Sequence, residues 1–357
     1  MKIKIKKLTS SLSIKNFFID IVQFIKLKRK EKNFEIGFFC ENKFILNYLK
    51  PYIDNKTKKK KVLIITFENL KIFQNEEVSI FVFKTNFIRE LVFLTLNLKY
   101  LYTSTPDLEN SIFKKTKFSN CKYIYLQHSP VSLNLIYREN AFDHFDAVQT
   151  ISSYQYLEFN EIKELRKLKG RPFKSKYLFI KETKKNLSIQ PTEKIDVLVA
   201  PSWNTGFYEL KCHEILNKLF IKNKISYELR VHPMSFKKNE ISLREIDLLN
   251  INIDKNKYIN FDDYNFLVSD WSGIFIEYSL ITMKKSYLIN TPKKDKKEKY
   301  KKFSNIPIEI NMRNIFGNTF EVNQIEELVE KILILKNNNH IDVRNEQLIK
   351  IKQNKFY

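Results

Sequence analysis

The chain has 357 residues, of which 43% are hydrophobic, so it is long enough for two domains with sizeable cores, and an intrinsically disordered protein is excluded. The 63 basic residues against 40 acidic ones give a net charge of +23, which favours polyanionic partners such as nucleic acid, anionic lipid or phosphate-rich substrates. Three widely spaced cysteines, Cys40, Cys121 and Cys212, indicate neither a disulfide framework nor a metal cluster and fit a reducing cytosol.

The N-terminal segment 1–30 is basic and amphipathic. It carries nine Lys or Arg residues and one acid, Asp20. Its apolar residues at helical spacing are Ile14, Phe17, Phe18, Ile21, Val22 and Ile25. Such a helix either lies in the surface of an anionic membrane or packs its apolar face on the protein's own core. The sequence has no uninterrupted apolar run of about 18 residues and no signal-peptide pattern, so neither a transmembrane helix nor a leader is expected.

From Phe34 onwards, apolar strands alternate with helices. The strands predicted in the first half are Phe34–Cys40, Val62–Phe67, Val78–Phe83, Lys99–Thr103, Tyr123–Leu126 and Ala147–Ile151. The predicted helices are Lys43–Leu49, which stops before Pro51, Ile88–Leu96 and Tyr154–Leu168. Strands alternating with helices, without hairpin signals, predict a parallel sheet that is covered on both faces.

The polar, Lys-rich residues 170–193 interrupt this pattern and are predicted to hold the crossing between two domains, one over 31–180 and one over 190–357. The strands predicted in the second half are Ile195–Ala200, Tyr227–Val231, Phe266–Val268 and Ser286–Ile289. Its predicted helices are Phe207–Phe220, Leu243–Leu249 and Gln324–Leu335. Two similar α/β halves predict a pair of Rossmann-like domains facing across a cleft, with ligands outside the carboxyl ends of the strands.

The stretch Phe266–Leu280 is predicted to form a strand, a polar turn and a helix. A helix N-terminus after a strand suits a phosphate or diphosphate, because its N–H groups and its dipole both favour an anion. Ser272 is predicted to cap the helix, and Gly273 allows a ligand to approach the backbone closely. Asp270 is expected to orient the turn or to position a histidine, and Glu277 to accept hydrogen bonds from ribose hydroxyls.

Two further strand ends carry histidine. Leu126–Pro130 places His128 at a strand end, and the imidazole pKa near neutrality suits a general base. In Leu229–Pro233, Arg230 and His232 alternate along the strand end and are predicted to point to one side. An arginine fork matches phosphate oxygens, and the histidine is suited to donate to a diphosphate or to act as an acid.

Together, these three stretches resemble the CDP-glycerol glycerophosphotransferase family, the GT-B-like polymerases and primases of teichoic acids and related capsule polymers. The family pattern has a His-containing turn, then Arg-x-His-Pro, then an Asp-x-Ser segment with a downstream acid. The chain matches all three in order, over roughly residues 120–290. It departs at the first motif, where the family usually has His-Gly-Thr and this chain has His128-Ser129-Pro130.

The resemblance implies an α/β, GT-B-like fold and a transferase that moves an alditol phosphate from a CDP-linked donor to a surface polysaccharide or lipid-linked acceptor. Its catalytic residues are expected to be His128, Arg230 and His232. Residues expected on the donor are Asp270, Ser272, Gly273, Glu277, Trp203 and Asn204. Tyr137 and Arg138 are expected to contact acceptor phosphates.

No dinucleotide or Walker loop and no metal-ligand spacing occurs in the sequence, so we expect a transfer that needs neither a cofactor nor a bound metal. The expected partners are a CDP-alditol, a phosphate-rich or lipid-linked glycan and an anionic membrane surface, without nucleic acid. The expected location is the cytoplasm, at the inner face of the cell membrane.

Three alternatives remain at the level of sequence. The same diphosphate site also suits a GT-B glycosyltransferase that uses a nucleotide-sugar. The net charge of +23 favours a nucleic-acid-binding protein, although the lysines are spread over loops without a recognised motif. A membrane-attached scaffold without activity is the third alternative, and the intact His128, Arg230 and His232 argue against it.

Overall fold

A computed structural model of the chain describes residues 2–70, 76–110, 112–180, 194–254, 259–293, 298–338 and 345–356, with side chains from residue 14 onwards. The chain divides into two compact units. The first unit contains residues 1–128, 138–151 and 162–179. The second contains residues 129–137, 152–161 and 180–357. The short segments 129–137 and 152–161 therefore belong to the second unit, although the first half of the chain carries them.

The first unit is built on a parallel sheet of seven strands in the order β3-β2-β1-β4-β5-β6-β7. Its strands are β1 Ile36–Cys40, β2 Val62–Thr66, β3 Val78–Val82, β4 Tyr100–Thr103, β5 Lys122–Tyr125, β6 Ala147–Thr150 and β7 Arg171–Lys174. Its helices are α1 Lys2–Lys30, α2 Lys43–Thr57, α3 Asn86–Leu94 and α4 Ser153–Arg166, the last of which has residues in both units. The alternation of strand and helix is therefore confirmed.

Helix α2 continues past the predicted stop at Pro51. Asn42 caps its N-terminus, accepting a hydrogen bond from the Ile45 N–H group, and Pro51 lies inside the helix. A proline in a helix interior removes one backbone hydrogen bond. The buried residues Tyr52 and Ile53 extend the apolar face beyond it and pack in the core, so tertiary packing outweighs the local cost.

Strand β7 was not predicted, because Arg171–Lys174 lies in the polar stretch assigned to the domain crossing. It pairs in parallel with β6 at the edge of the sheet, where Pro172 stands opposite Val148. An edge strand tolerates proline, since one of its sides needs no hydrogen-bond donor. The crossing therefore begins later than residue 170, and residues 181–193 lie outside the described part of the chain.

Helix α1 uses one face to pack on its own unit. Asp20 is fully buried and accepts hydrogen bonds from the Lys84 and Thr85 N–H groups at 2.8 and 2.7 Å, and Leu27 is fully buried. The apolar residues that remain more than a third exposed are Ile14, Phe17, Phe18, Ile19, Val22 and Ile25. The helix thus anchors one face in the fold and leaves a second, apolar face in solvent.

The second unit is built on a parallel sheet of five strands in the order β12-β11-β10-β8-β9. Its strands are β8 Ile195–Val199, β9 Tyr227–Leu229, β10 Tyr264–Ser269, β11 Ser286–Ile289 and β12 Gly317–Phe320. Its helices are α5 Cys212–Lys222, α6 Pro233–Lys237, α7 Leu243–Leu248, α8 Ile274–Thr282, α9 Ile308–Asn311, α10 Arg313–Phe316, α11 Ile325–Asn337 and α12 Glu346–Lys355. Two hydrophobic clusters contain these elements' buried residues.

Helix α5 begins at Cys212, five residues later than predicted. Lys211 adopts a left-handed backbone conformation with φ 57°, and so does Gly206 with φ 72°. Residues 207–211 therefore form turns, and Phe207 is buried without being helical. Apolar spacing alone does not reveal such backbone reversals. The seven- and five-stranded parallel sheets nevertheless confirm the predicted α/β class with two Rossmann-like units.

The three cysteines are free and buried. Among the helices in the described residues, none is both long and apolar enough to cross a bilayer.

Candidate functional site

Three loops meet at the carboxyl edge of the sheet in the second unit. Strands β10, β8 and β9 are neighbours, and they lead into residues 270–273, 200–206 and 230–233. Because parallel strands end at the same edge, these loops lie side by side. This brings together the predicted donor residues and the Arg-x-His-Pro stretch within one unit.

Asp270 holds two of these loops together. Its carboxylate is fully buried, and one oxygen, Oδ1, accepts hydrogen bonds from the Ser202 N–H at 2.7 Å and the Ser272 N–H at 3.1 Å. The other oxygen, Oδ2, accepts from the Thr205 hydroxyl. A buried carboxylate with three donors rigidifies the loops that it joins. Asp270 therefore orients its turn, as predicted, and does so by fastening it to the loop after β8.

Two cations that the sequence reasoning missed flank this turn. The Arg313 guanidinium is buried, lies 4.0 Å from the centre of the Trp271 ring and donates to the carbonyl oxygens of Asp270 and Ile289. Burial lowers the pKa of Arg313 to about 10, against the attraction of Asp270. The Lys293 ammonium lies 5.6 Å from the centre of the same indole ring. The sequence feature that could have pointed to Arg313 is the presence of two charged residues, Glu309 and Arg313, inside the largely apolar stretch 306–316.

The helix after the turn differs from the prediction in its cap. Helix α8 begins at Ile274, its N-cap is Gly273, and no side chain caps it, so Ser272 is not the cap residue. The Ser272 side chain is half-buried, and its N–H is already donated to Asp270. Glu277 lies in the first turn and is 5% exposed, so its carboxylate belongs to the buried face of the helix.

Gly273 is required for a reason other than ligand access. Its φ of −59° is open to any residue, but a Cβ there would lie 2.4 Å from Ser129 Oγ and 2.5 Å from Val131 Cγ1. The chain's own segment 129–137 therefore occupies the space that we had assigned to a ligand. That segment is fixed by two buried acids: Glu309 accepts from Ser132, and Glu158 from the Leu133 N–H at 2.9 Å.

Arg230 and His232 leave the end of β9 in different environments. Arg230 forms an ion pair with Asp254, whose side chain is 1% exposed. His232 caps helix α6, and its Nδ1 accepts from the Met234 N–H at 3.1 Å, so the neutral ring carries its proton on Nε2. The Nε2–H is then a hydrogen-bond donor. Arg230 has an acidic neighbour that the sequence analysis did not anticipate.

Trp203 and Asn204 lie in the loop after β8. The rings of Trp203 and His232 are tilted to each other with centroids 6.3 Å apart, so the structure brings these two predicted site residues together. Asn204 is exposed, has φ 58°, and donates its N–H to Glu240 at 2.8 Å. Its left-handed conformation is a structural reason for asparagine here.

His128 belongs to the first unit, at the end of β5. Its Nδ1 lies 3.1 Å from the Tyr125 hydroxyl, and the Tyr48 ring packs 5.9 Å from it, centre to centre. Burial lowers the pKa of His128 to about 4, against a hydrogen bond with the backbone of Ser104 that favours the protonated ring. The imidazole is therefore neutral at pH 7 and able to accept a proton. Tyr125, which fixes the ring, was not among the predicted residues.

Tyr137 and Arg138, the predicted acceptor contacts, follow one another where the chain passes from one unit to the other. Tyr137 ends the segment 129–137 of the second unit and is half-buried. Arg138 belongs to the first unit and is exposed.

One group in the described residues has the geometry to hold a metal ion. Ligand atoms of His213, Glu214 and Glu245 lie within 4.8 Å of one another. His213 Nε2 is 3.3 Å from Glu245 Oε1, a distance that a histidine–carboxylate hydrogen bond explains without an ion. Sequence spacing did not reveal this group, because Glu245 comes from a different helix.

The fold is similar to that of the wall teichoic acid polymerase TagF. A structure of a TagF variant soaked with CDPG matches with a TM-score of 0.55 at 12% identity, covering 98% of this chain and 93% of that chain. A second TagF variant matches with a TM-score of 0.53 at 12% identity, over 94% and 92% of the two chains. No family model and no curated protein matches the sequence. The likeness establishes a GT-B-like α/β fold for the chain.

Proposed function

We propose that the chain is a transferase that moves an alditol phosphate, such as glycerophosphate, from a CDP-linked donor to a cell-surface polysaccharide or lipid-linked acceptor. The observation that carries the proposal is the turn 270–273 at the carboxyl edge of the sheet, where the cations Arg313 and Lys293 both lie against the Trp271 ring. The half-buried Ser272 hydroxyl and these two cations suit a phosphate or diphosphate group. The fold similarity to TagF, a wall teichoic acid polymerase, supports the same class of reaction.

In the proposed reaction, an acceptor hydroxyl attacks the phosphorus that carries the alditol, and the bond from this phosphorus to the bridging oxygen breaks. CMP leaves with that oxygen, and the hydroxyl proton passes to His128. The Arg230 guanidinium, the His232 Nε2–H and the Ser272 hydroxyl hold the donor phosphates. Arg313 acts through its charge, because its guanidinium is buried and its two terminal nitrogens donate to the carbonyl oxygens of Asp270 and Ile289. Positioning and charge stabilisation supply most of the rate in such transfers.

The test is donor turnover by the purified protein. CDP-glycerol, CDP-ribitol and a panel of UDP- and GDP-sugars are offered with a lipid or polymer acceptor, and release of CMP or nucleoside diphosphate is followed. CMP release that is lost in His128→Ala and Arg230→Ala, but kept in the exposed controls His144→Ala and Arg244→Ala, supports the proposal. If no donor is turned over and neither CMP nor CDP shifts the melting temperature, the proposal is contradicted.

The pH dependence adds a second test of the base. kcat/KM reports the pKa values of the free enzyme. Because the pKa of His128 is lowered to about 4, the acid limb of kcat/KM is expected near pH 4. An acid limb of the wild-type enzyme near pH 6.5 would show an imidazole with its ordinary pKa and contradict the structural account of this site.

A GT-B glycosyltransferase that uses a nucleotide-sugar is the second candidate, favoured by the same diphosphate turn and by the departure at Ser129-Pro130 from the family motif. In that reaction the leaving group is UDP or GDP, so the donor panel separates the two candidates directly.

We also propose that α1 attaches the protein to an anionic membrane at the inner face of the cell membrane. Its exposed apolar residues include Ile14, Phe18 and Val22, and basic residues flank them. In a flotation assay with vesicles in which one third of the lipid is phosphatidylglycerol, wild type is expected to float with the vesicles and Phe18→Glu is expected to stay unbound. The exposed control Phe118→Glu lies elsewhere in the first unit and should float like wild type. Equal flotation of all three proteins contradicts this attachment.

A further inference from the structure

The first unit contains a cavity that the proposed reaction does not use. Helix α2 packs on one face of the seven-stranded sheet, over β1 and β2. Beside it lies a cavity of about 580 Å³, whose lining residues all belong to the first unit. Sites that hold drug-sized ligands have volumes of roughly 300–1,000 Å³, so this one is large enough for a small molecule.

The floor of the cavity is apolar and largely aromatic. It is formed by Phe38, Tyr102, Ile124, Leu126, Phe173 and Leu178. Phe38 and Tyr102 stack with ring centroids 5.2 Å apart and an interplanar angle of 23°, so Phe38 supports the Tyr102 ring from the core side. Phe38 is fully buried beneath it, whereas Tyr102 and Ile124 keep partly exposed side chains. Apolar surface in a recess of this kind favours a hydrocarbon ligand over water.

The rim is cationic. Lys56, Arg171 and Lys176 contribute side chains to the lining, and no Asp or Glu is found among the described lining residues. The Lys56 ammonium lies 5.3 Å from the centre of the Tyr102 ring. Lys56 is near the end of α2, and Arg171 is the first residue of β7, so charge gathers at the amino-terminal edge of the sheet. An apolar recess with a basic rim is complementary to an anionic amphiphile.

One wall is held in place before any ligand arrives. The Tyr52 hydroxyl donates to the Lys176 carbonyl oxygen at 3.1 Å and accepts a hydrogen bond from Gln149 Nε2 at 2.9 Å. The Gln149 amide also accepts from the Gln127 N–H at 3.0 Å, which ties this wall to the end of β5. A wall that is fixed by buried hydrogen bonds lowers the ordering cost of binding.

We propose that this cavity binds an amphiphile that consists of a phosphate head group on a hydrocarbon chain, with the chain over Tyr102 and Ile124 and the phosphate between Lys56 and Arg171. A nucleotide is a poorer occupant, since base recognition needs polar groups in the floor and the Tyr52 hydroxyl is already committed to Gln149 and Lys176. The same chemistry is offered by a free alkyl or prenyl phosphate and by a phospholipid in a bilayer.

The experiment titrates the full-length protein by calorimetry with hexyl, octyl and decyl phosphate below their micelle concentrations. Inorganic phosphate and decyl glucoside serve as the head-group and chain controls. Each added methylene that is buried is expected to tighten binding about fourfold. Decyl glucoside is expected to bind at least tenfold more weakly than decyl phosphate, and inorganic phosphate to give no measurable heat.

Three variants locate the ligand. Ile124→Trp fills the floor and is expected to abolish decyl phosphate binding. The double variant Lys56→Gln/Arg171→Gln removes rim charge at solvent-accessible positions, so the fold is kept, and is expected to weaken binding about tenfold. Lys58→Gln, an exposed lysine at the same end of α2 that does not line the cavity, is the matched control. Circular dichroism confirms that each variant is folded.

Binding that is unchanged in the double variant, or equal for decyl phosphate and decyl glucoside, overturns the proposal. Flotation with phosphatidylglycerol vesicles then separates the two sources, with Phe18→Glu as the background to remove attachment through α1. Residual flotation of Phe18→Glu that is lost when Lys56→Gln/Arg171→Gln is added identifies a bilayer lipid. Absence of residual flotation, together with weakened decyl phosphate binding in the double variant, identifies a free amphiphile. No nucleotide donor is needed, so the outcome does not depend on the proposed transfer.

Discussion

Asp270 is the residue whose removal tests the architecture of the candidate site most directly. Asp270→Ala deletes a fully buried carboxylate that accepts hydrogen bonds from Ser202, Thr205 and Ser272. Each hydrogen bond to a charged acceptor contributes about 1.5–3 kcal/mol, and each buried donor left unpaired costs about 1–3 kcal/mol. With water entering the space, we expect the second unit to lose about 4 kcal/mol of unfolding free energy, out of a typical total of about 5–15 kcal/mol.

Two milder variants separate hydrogen bonding from charge. Asp270→Asn keeps an oxygen for the Ser202 and Ser272 N–H groups and places an amide against the Thr205 hydroxyl, which is able to accept. We expect a cost of about 1–2 kcal/mol, part of it from the lost attraction between Asp270 and Arg313. Thr205→Val removes one donor only and is expected to cost about 1–2 kcal/mol.

The chain itself provides the probe for this measurement. Its two tryptophans, Trp203 and Trp271, both lie in the second unit, so tryptophan emission during urea unfolding reports on that unit alone. Wild type is expected to be the most stable, Asp270→Asn and Thr205→Val to follow together, and Asp270→Ala to be the least stable. If Asp270→Ala lies within about 1 kcal/mol of wild type, the hydrogen-bond account is refuted, since three buried donors cannot lose their acceptor at so little cost.

Three other residues, His128, Gly273 and Arg313, give further predictions. The pKa of His128 is lowered to about 4 in the folded protein, so on acidification the unfolded chain takes up this proton at a higher pH than the folded chain does. Wild type should therefore lose at most about 3 kcal/mol of unfolding free energy through His128 between pH 6.5 and pH 4, and His128→Gln should not show this loss. Urea unfolding at a series of pH values measures the difference, and identical pH profiles of the two proteins would contradict it. Gly273→Ala should destabilise the second unit by about 1–3 kcal/mol through its clash with Ser129 and Val131. Val131→Ala in the same chain should restore part of this loss on urea unfolding, and no rescue would show that the contact with Val131 does not contribute to the strain. Arg313→Lys should keep more of the thermal shift by CMP than Arg313→Met, whereas equal shifts would show that the buried charge does not act on the donor.

The sheets were predictable because buried parallel strands are continuous apolar runs. Ser286–Ile289 was predicted to the residue, and Val62–Phe67 differs from the observed strand by one residue at its end. The convergence of three polar loops was also predictable, since β10, β8 and β9 end at one edge. Edge strands are harder to predict: β7 has the polar, proline-containing sequence of a loop, and only its pairing with β6 makes it a strand.

The bonding within the site was not predictable, because it depends on partners distant in sequence. Asp270 was assigned to the turn from its position, but two of the donors to its carboxylate, Ser202 and Thr205, stand more than 60 residues earlier. Arg230 is predicted to be a phosphate ligand because of its residue type. In the structure it pairs with Asp254, which lies on a loop without a motif. A motif gives the position of a side chain on the sheet edge, while its hydrogen bonds follow from the other loops.

Gly273 shows what this means for the chemistry of the turn. The residue type suggested an open approach for a ligand, and the structure places Ser129 and Val131 against that side. The Ser272 N–H is likewise committed to Asp270. An anion at this turn therefore depends less on the turn's own backbone than on the Ser272 hydroxyl and the charge of Arg313 and Lys293. Since those two cations lie outside all three motifs, substitutions there test the proposed anion site more sharply than substitutions of the glycine.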